Sequence, residues 1–391
     1  MSIRRTILSL AAALMLIAIA ATTSIAQKKI ILGGWYTTLL PTEMTTRIDR
    51  LQDKPFDGLI LHLKPENPTV FIKTPWDESA LAPEFAALQQ MRWGRYTDNF
   101  IVANCASDTD WFSDADWATV LYNIGVVAKA AKAGGCKGIA FDPESYPDYT
   151  TSPWCYGLQT QHTTKTYDQY RVIVRKRGAQ FLRAIQQQLP QPTILIYYGY
   201  DLYANEQLNP NVNSDRLNNH IFGLLAEFLN GMLDAATPGT TILNDGNEES
   251  YYYTTPQEFT DARTRVTATD AQYAAPDLAN KYPSYIRNAP AMYPDYIFDL
   301  FTQPFTWRPL YSKFLKPNER SLWWEHNVYY GLLTCDNYIW MYAEHTDFAN
   351  NINIPSGLIS GVIAAKQKIA NNQPLGYSID SFMAKAKRHF R

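Results

Sequence analysis

The stretch KGIAFDPE, residues 137–144, contains a short apolar run that ends in two carboxylates. The run from Gly138 to Phe141 is continuously apolar, which is typical of a strand buried on both faces of a parallel sheet. Side chains alternate along a strand, so Asp142 and Glu144 point the same way where the strand gives way to a loop. Parallel α/β folds bind ligands at this edge, so the two carboxylates are candidate functional residues. In the alternative, Asp142 caps a helix and Glu144 is a solvated loop residue.

Six further apolar runs predict strands, and amphipathic segments separate them. The predicted strands are Ile30 to Gly33, Gly58 to Leu63, Asn99 to Ala103, Gly138 to Phe141, Thr193 to Tyr198, Thr240 to Asn244, and Tyr338 to Tyr342. An eighth strand, seventh in chain order, is expected between Asp277 and Asn318, with Tyr296 to Leu300 as the candidate. This alternation predicts an α/β protein with a single-domain (β/α)8 TIM barrel. No G-x-G-x-x-G motif follows the first strand, which argues against a dinucleotide-binding domain.

The segments between the strands have helical spacing and helical end signals. The predicted helices are Ala115 to Ala133, Tyr167 to Gln188, Asp215 to Leu233, Pro256 to Thr267, Trp323 to Leu333 and Leu358 to Ala370. Pro256 at a first turn and Gly134 after a last turn fit the usual punctuation of helices.

The N-terminus predicts a secretory signal peptide over residues 1–26, which leaves 27–391 as the barrel domain. Arg4 and Arg5 precede an uncharged run that ends in small residues before Gln27. A retained membrane anchor is the alternative, because the run is long enough to span a bilayer. We expect a secreted or periplasmic protein with no membrane partner after cleavage. In such an oxidising compartment, Cys105 and Cys155 are a candidate disulfide pair, because both follow strands at the same rim.

The composition indicates a carbohydrate partner and argues against a nucleic acid. The net charge is −2 and long basic runs are absent, whereas phosphate backbones demand a clustered positive surface. The chain has 26 Tyr and 10 Trp, whose flat faces and polar tips suit stacking on sugar rings.

The ends of the predicted strands carry acids interleaved with aromatic residues. The candidate catalytic residues are Glu144, Asp142 and Glu248. The candidate substrate-binding residues are Trp35, His62, Asn104, Tyr198, Tyr200, Asp245, Tyr253, Trp340 and Glu344. Glycoside hydrolysis needs such a set, because one acid protonates the leaving oxygen while a second carboxylate meets the positive charge that develops on the sugar.

Other hydrolytic chemistries lack their motifs. The sequence has no G-x-S-x-G, since Ser360 lies one place late in its run. The six histidines are scattered, without H-x-H or H-E-x-x-H, so no metal site and no cofactor is expected.

The strand 4 segment resembles the signature D-x-x-D-x-D-x-E of family 18 glycoside hydrolases, the chitinase-like barrels. The resemblance covers about eight residues and implies that Glu144 is the general acid. It implies that Asp142 orients a substrate acetamido group, which is itself the nucleophile in that family. The sequence departs from the signature where Lys137 and Ala140 replace acids and Pro143 replaces an aromatic residue.

Two mechanisms and two other functions stay open at this point. In the first mechanism, Asp142 and Glu144 work together. In the second, Glu144 is the acid and faces either Glu248 or Glu344 across the barrel mouth. The expected function is a secreted glycoside hydrolase acting on an oligo- or polysaccharide. The alternatives are a non-catalytic, lectin-like barrel and a metal-assisted hydrolase that uses His62 or His345 with Asp245.

Overall fold

The computed structural model describes residues 28–34, 40–64, 69–105, 108–144 and 152–390. The predicted signal peptide and Trp35 lie outside these residues. The strands are β1 (Lys29–Gly33), β2 (Gly58–Leu61), β3 (Phe100–Asn104), β4 (Gly138–Asp142), β5 (Thr193–Ile196), β6 (Ile242–Asp245), β7 (Ile286–Asn288), β8 (Ala291–Met292) and β9 (Tyr338–Tyr342).

All these strands run parallel in one sheet, in the order β7-β6-β5-β4-β3-β2-β1-β9-β8. β7 and β8 stand at the two ends of this order, yet only Ala289 and Pro290 separate them in the chain. They are therefore two halves of one interrupted strand, which pairs with β6 on one side and β9 on the other. This seventh strand closes a (β/α)8 barrel, as the sequence predicts.

The candidate Tyr296 to Leu300 for the seventh strand is wrong. Pro290 breaks the apolar run of the true strand because it has no N–H to donate. Residues 296–298 of the candidate lie in a short helix, Pro294–Phe298, whose first residue is a proline, as is favoured at that position.

Helices α1 to α14 cover the outside of the barrel and its loops. They are α1 (Pro41–Met44), α2 (Ile48–Leu51), α3 (Ala82–Gln90), α4 (Asp114–Ala133), α5 (Tyr167–Gln188), α6 (Asp201–Asn205), α7 (Ser214–Leu217), α8 (Leu225–Ala235), α9 (Pro256–Thr267), α10 (Tyr282–Tyr285), α11 (Pro294–Phe298), α12 (Pro317–Thr334), α13 (Leu358–Ala370) and α14 (Asp380–Lys387). Ser113, Thr166 and Thr255 cap α4, α5 and α9 with their side-chain oxygens.

The predicted helix over Asp215 to Leu233 is in fact two helices, α7 and α8. The chain turns between them at Gly223, where an added Cβ would lie 1.9 Å from the carbonyl oxygen of Leu217. Only glycine permits so close an approach.

Strand β4 is apolar on both of its faces up to Phe141, because Ile139, Ala140 and Phe141 are all buried. Gly138 begins this strand because a Cβ there would meet the carbonyl oxygen of Thr193 at 1.7 Å. Within the described ranges, no helix is both long and apolar enough to cross a bilayer.

The predicted disulfide between Cys105 and Cys155 is wrong, since both are free thiols. Cys136 and Cys335 are also free, and all four are buried. Their burial in apolar surroundings lets them pack as small hydrophobic side chains.

Candidate functional site

The ends of β3 and β4 hold the Asp142 carboxylate in place. Asn104 and Asp142 are register partners on the two strands, and Asn104 Nδ2 donates to Asp142 Oδ2 at 2.9 Å. The backbone N–H of Glu144 donates to the other oxygen, Asp142 Oδ1, also at 2.9 Å. Asp142 is thus a buried anchor that fixes the backbone of Glu144, whose own side chain is half-buried at the barrel mouth.

Glu248 begins the turn that follows β6. Asn247, in the left-handed conformation with φ at 38°, directs the chain sharply away from the strand. This conformation is uncommon outside glycine, and asparagine is one of the residues that tolerate it. Atom Oε2 of Glu248 is closed off from solvent and has no hydrogen-bond partner within the described part of the chain.

The pKa of Glu248 is raised to about 8. Burial is the main cause, and the negative charge of nearby Glu144 adds to it. The hydroxyls of Tyr198 and Tyr251 lower the pKa of Glu248, but by less than burial raises it. The Tyr251 hydroxyl makes no hydrogen bond of ordinary geometry with any described residue. Glu248 therefore carries a proton at neutral pH.

An aromatic wall surrounds this pair of glutamates. Tyr197 stacks on Trp340, and Tyr251 packs against Trp340 and Tyr293 with ring centroids 5.6 and 4.9 Å apart. Tyr342 lies 5.9 Å from Tyr293, and burial together with the charges of Glu344, Asp142 and Glu248 raises its pKa. Charges from three different strand ends thus act on the same hydroxyl, which shows that they share one site.

A second acidic group lies at the end of β9. Asp295 on α11 is fully buried and accepts hydrogen bonds from the backbone N–H groups of Glu344 and His345. Nδ1 of His345 also lies 2.8 Å from Asp295 Oδ1. Burial and the charge of Asp295 raise the pKa of Glu344.

His62 follows β2 and is half-buried. Burial lowers its pKa to about 4, so its imidazole is neutral at neutral pH. A neutral imidazole here can donate or accept a hydrogen bond but contributes no positive charge.

Tyr200, Asp245 and Tyr253, three of the predicted substrate-binding residues, are buried in the structure. Tyr200 is 1% exposed, and its hydroxyl donates to Asn230 Oδ1 at 2.8 Å inside the core. Asp245 is 2% exposed and accepts from two backbone N–H groups, those of Asp201 and Asn247.

The Tyr253 hydroxyl is likewise buried, within reach of Arg265 and Asn247. Trp340 is 0% exposed, and its indole stacks on the ring of Tyr197.

Sequence reasoning missed Tyr197, Tyr293 and Asp295. The last two follow β8 directly, so a correct seventh strand would have marked them as strand-end residues. Tyr197 was passed over because period-2 alternation from Tyr198 assigns it to the opposite face.

The described residues contain no group of three or more His, Cys, Asp or Glu side chains that could hold a metal ion. His345 faces Asp295, and Asp245 lies against the backbone of Asp201. His345 and Asp245 thus have different partners in the structure.

Comparison with protein families and with curated proteins gives no match. Among solved structures, the chain is similar to a trimodular GH5_4 subfamily endoglucanase at 11% identity, over 88% of this chain and 61% of that one, with a TM-score of 0.46. A Bacteroidetes-affiliated GH5 cellulase linked with a polysaccharide utilization locus shares 9% identity over 92% and 95%, with a TM-score of 0.45.

A mutant O-GlcNAc hydrolase from Thermobaculum terrenum shares 10% identity over 94% of this chain and 63% of that one, with a TM-score of 0.43. This chain thus spans less than two thirds of the endoglucanase and of the O-GlcNAc hydrolase. These low TM-scores assign no function, which has to be argued from the site.

Proposed function

We propose that this protein is a glycoside hydrolase in which Glu248 is the general acid and Glu144 the second carboxylate. The observation that carries the proposal is the raised pKa of Glu248, about 8, caused by burial and by Glu144 at the mouth of a barrel. A carboxylic acid that keeps its proton at neutral pH can protonate a leaving glycosidic oxygen. The half-buried rings of Tyr197 and Tyr198 supply apolar faces for the sugar.

This assignment reverses the roles expected from the strand 4 resemblance, in which Glu144 is the acid. Glu144 is instead the group that acts on the sugar carbon, either as a nucleophile or as the base that activates water. Asp142 has a positioning role, because Asn104 Nδ2 and the Glu144 N–H already engage its oxygens.

The proposed substrate is an oligo- or polysaccharide outside the cytoplasm. The signal peptide predicted over residues 1–26 supports secretion. The paired charges and uncharged aromatic wall of the mouth support a sugar as the ligand. The test of location is the N-terminal residue of the mature protein, which cleavage after Ala26 would make Gln27.

The catalytic test compares Glu248→Gln and Glu144→Gln on two kinds of substrate. A general acid matters most when the leaving group is a poor one, so Glu248→Gln should lower kcat on a polysaccharide by roughly 10²- to 10⁴-fold. The same variant should keep most of its kcat/KM on dinitrophenyl glycosides, because their leaving group needs no proton and kcat/KM reports the step that cleaves the glycosidic bond. Glu144→Gln should lose activity on both kinds of substrate.

Glu325→Gln is the matched control, because Glu325 lies on α12 and pairs with Lys368 at 2.6 Å on the outside of the barrel. It should hydrolyse both kinds of substrate as the wild type does. Full polysaccharide hydrolysis by Glu248→Gln would overturn the assignment of the acid.

A carbohydrate-binding barrel without activity is the second candidate. It is favoured by Lys137 and Ala140, which stand where the family 18 signature has acids. Binding of glycans by the wild type without release of reducing ends would select this function over hydrolysis.

A further inference from the structure

The loop between α11 and α12, residues 299–316, carries an indole in open solvent. Trp307 is 81% exposed, the largest exposed fraction among the large hydrophobic side chains of the described residues. Each Å² of apolar surface left in water forgoes about 25 cal/mol of stabilisation, so folding alone does not favour this position. An exposed Trp that contributes nothing to the core is instead typical of a binding surface.

The residues on either side of Trp307 anchor it beside the glutamate site. The Arg308 guanidinium pairs with Glu249, the neighbour of Glu248, and lies 4.7 Å from the ring centroid of Tyr252. On the other side, Phe305 packs against Tyr252 and Tyr296 with centroids 6.4 and 5.5 Å apart. The chain on both sides of the exposed indole is therefore tied to the rim of the mouth.

The charges around the indole are internally matched. Arg308 and Glu249 neutralise each other, so this pair adds no net charge to the surface next to Trp307. An indole face beside this pair suits the apolar C–H surface of an uncharged sugar ring better than an anionic ligand.

We propose that Trp307 is a sugar-binding platform outside the catalytic centre, which stacks on a ring of an uncharged glycan chain whose scissile bond lies at Glu248. This inference rests on the proposed function and deepens it by naming the substrate class, a chain of several uncharged sugars. A single glycoside bound at Glu248 does not extend to the rim and makes no use of the platform.

The test measures kcat and KM of Trp307→Ala on long soluble glycans and on dinitrophenyl monoglycosides. For the long glycan we expect KM to rise roughly tenfold with kcat nearly unchanged, the effect of losing one ring-stacking contact. For the monoglycoside we expect less than about a twofold change in kcat/KM. Trp307→Phe, which keeps an aromatic face, should restore most of the affinity for the long glycan.

Tyr122→Ala is the matched control, because Tyr122 is an exposed aromatic residue on α4 that contacts Glu78 and none of the mouth residues named above. It should match the wild type on both substrates. Equal KM values for Trp307→Ala and the wild type on the long glycan would overturn the platform and point to a protein partner for this indole.

Calorimetry of long-glycan binding separates the two proposals. It compares the Glu248→Gln variant with the double variant Glu248→Gln, Trp307→Ala. If the wild type hydrolyses no glycoside, the proposed function fails, yet weaker binding caused by Trp307→Ala would still support the platform. If hydrolysis occurs and binding is insensitive to Trp307, only the platform fails.

Discussion

The indole of Trp340 lies flat against the phenol ring of Tyr197, with ring centroids 4.1 Å apart and planes 8° from parallel. The two residues come from β9 and from the end of β5, which are not neighbours in the sheet. The Trp340 N–H donates to the carbonyl oxygen of Gly246 at 2.9 Å, which ties the indole to a third strand end. Trp340 therefore supports the aromatic wall from the barrel interior.

We expect Trp340→Ala to lower the free energy of unfolding by about 3–5 kcal/mol, because it empties a packed site in the barrel. Urea unfolding measures this change. Trp307→Ala is the matched control, since it removes the same side chain from open solvent and should cost less than about 0.5 kcal/mol. Equal stability of the two variants would contradict the structural role of Trp340.

Activity should fall as the pH rises through about 8, the pKa of Glu248. The sign follows from its role, because a general acid is active only while protonated and burial favours the protonated form. The pH profile of kcat/KM on a polysaccharide measures this loss, because kcat/KM reports the pKa values of the free enzyme. On the same polysaccharide, the residual activity of Glu248→Gln should show no fall near that pH, whereas Glu325→Gln should keep the wild-type profile. An unchanged alkaline limb in Glu248→Gln would assign the titration to another group.

The sequence predicts the barrel well because its buried parallel strands are continuous apolar runs, as in β4. It also predicts that Glu144 shares the barrel mouth with acids from other strands, among them Glu248 and Glu344, because the carboxyl ends of parallel strands share one edge. It does not predict which of these acids is the partner of Glu144. Sequence periodicity does not reveal how far the surroundings of Glu248 shield its carboxyl from water, which is the main cause of its raised pKa.

The alternation rule failed at the end of β5. It places Tyr198 and Tyr200 on the same face, but β5 ends at Ile196 and the chain then turns into α6. Beyond the last strand residue the period of two no longer applies, so Tyr198 reaches the mouth while Tyr200 enters the core. Local pattern alone does not fix where a strand stops.

The four cysteines give a direct test of the free-thiol structure. We expect a thiol reagent to react with none of them quickly in the native protein, because all are buried and burial raises the pKa of the Cys105 and Cys136 thiols. In denaturant without reductant, the reagent should count four thiols. A count of about two would restore a disulfide such as Cys105 to Cys155.

A buried group of carboxylates lies between β6 and α9, behind the mouth. Asp270 is fully buried, and neither of its oxygens accepts a hydrogen bond from an N–H group or a hydroxyl of the described residues. Within this group, the guanidinium of Arg265 pairs with the carboxylate of Asp201 at 2.8 Å. Burial, followed by the charges of Asp201 and Asp245, raises the pKa of Asp270.

The protein should therefore lose stability as the pH rises, and Asp270→Asn should lessen that loss. The pKa of Asp270 is higher in the folded state than in the unfolded state, so folding binds a proton. The stability that this proton contributes is complete below the pKa of the unfolded state. It is lost as the pH rises through the pKa of the folded state. Asparagine carries no charge at any pH, so urea unfolding at about pH 9 should find the variant more stable than the wild type, with no gain at about pH 4. Asp261→Asn, at an exposed position on α9, should show no pH-dependent difference. A gain of equal size at both pH values would mean that ionisation of Asp270 is not its cause.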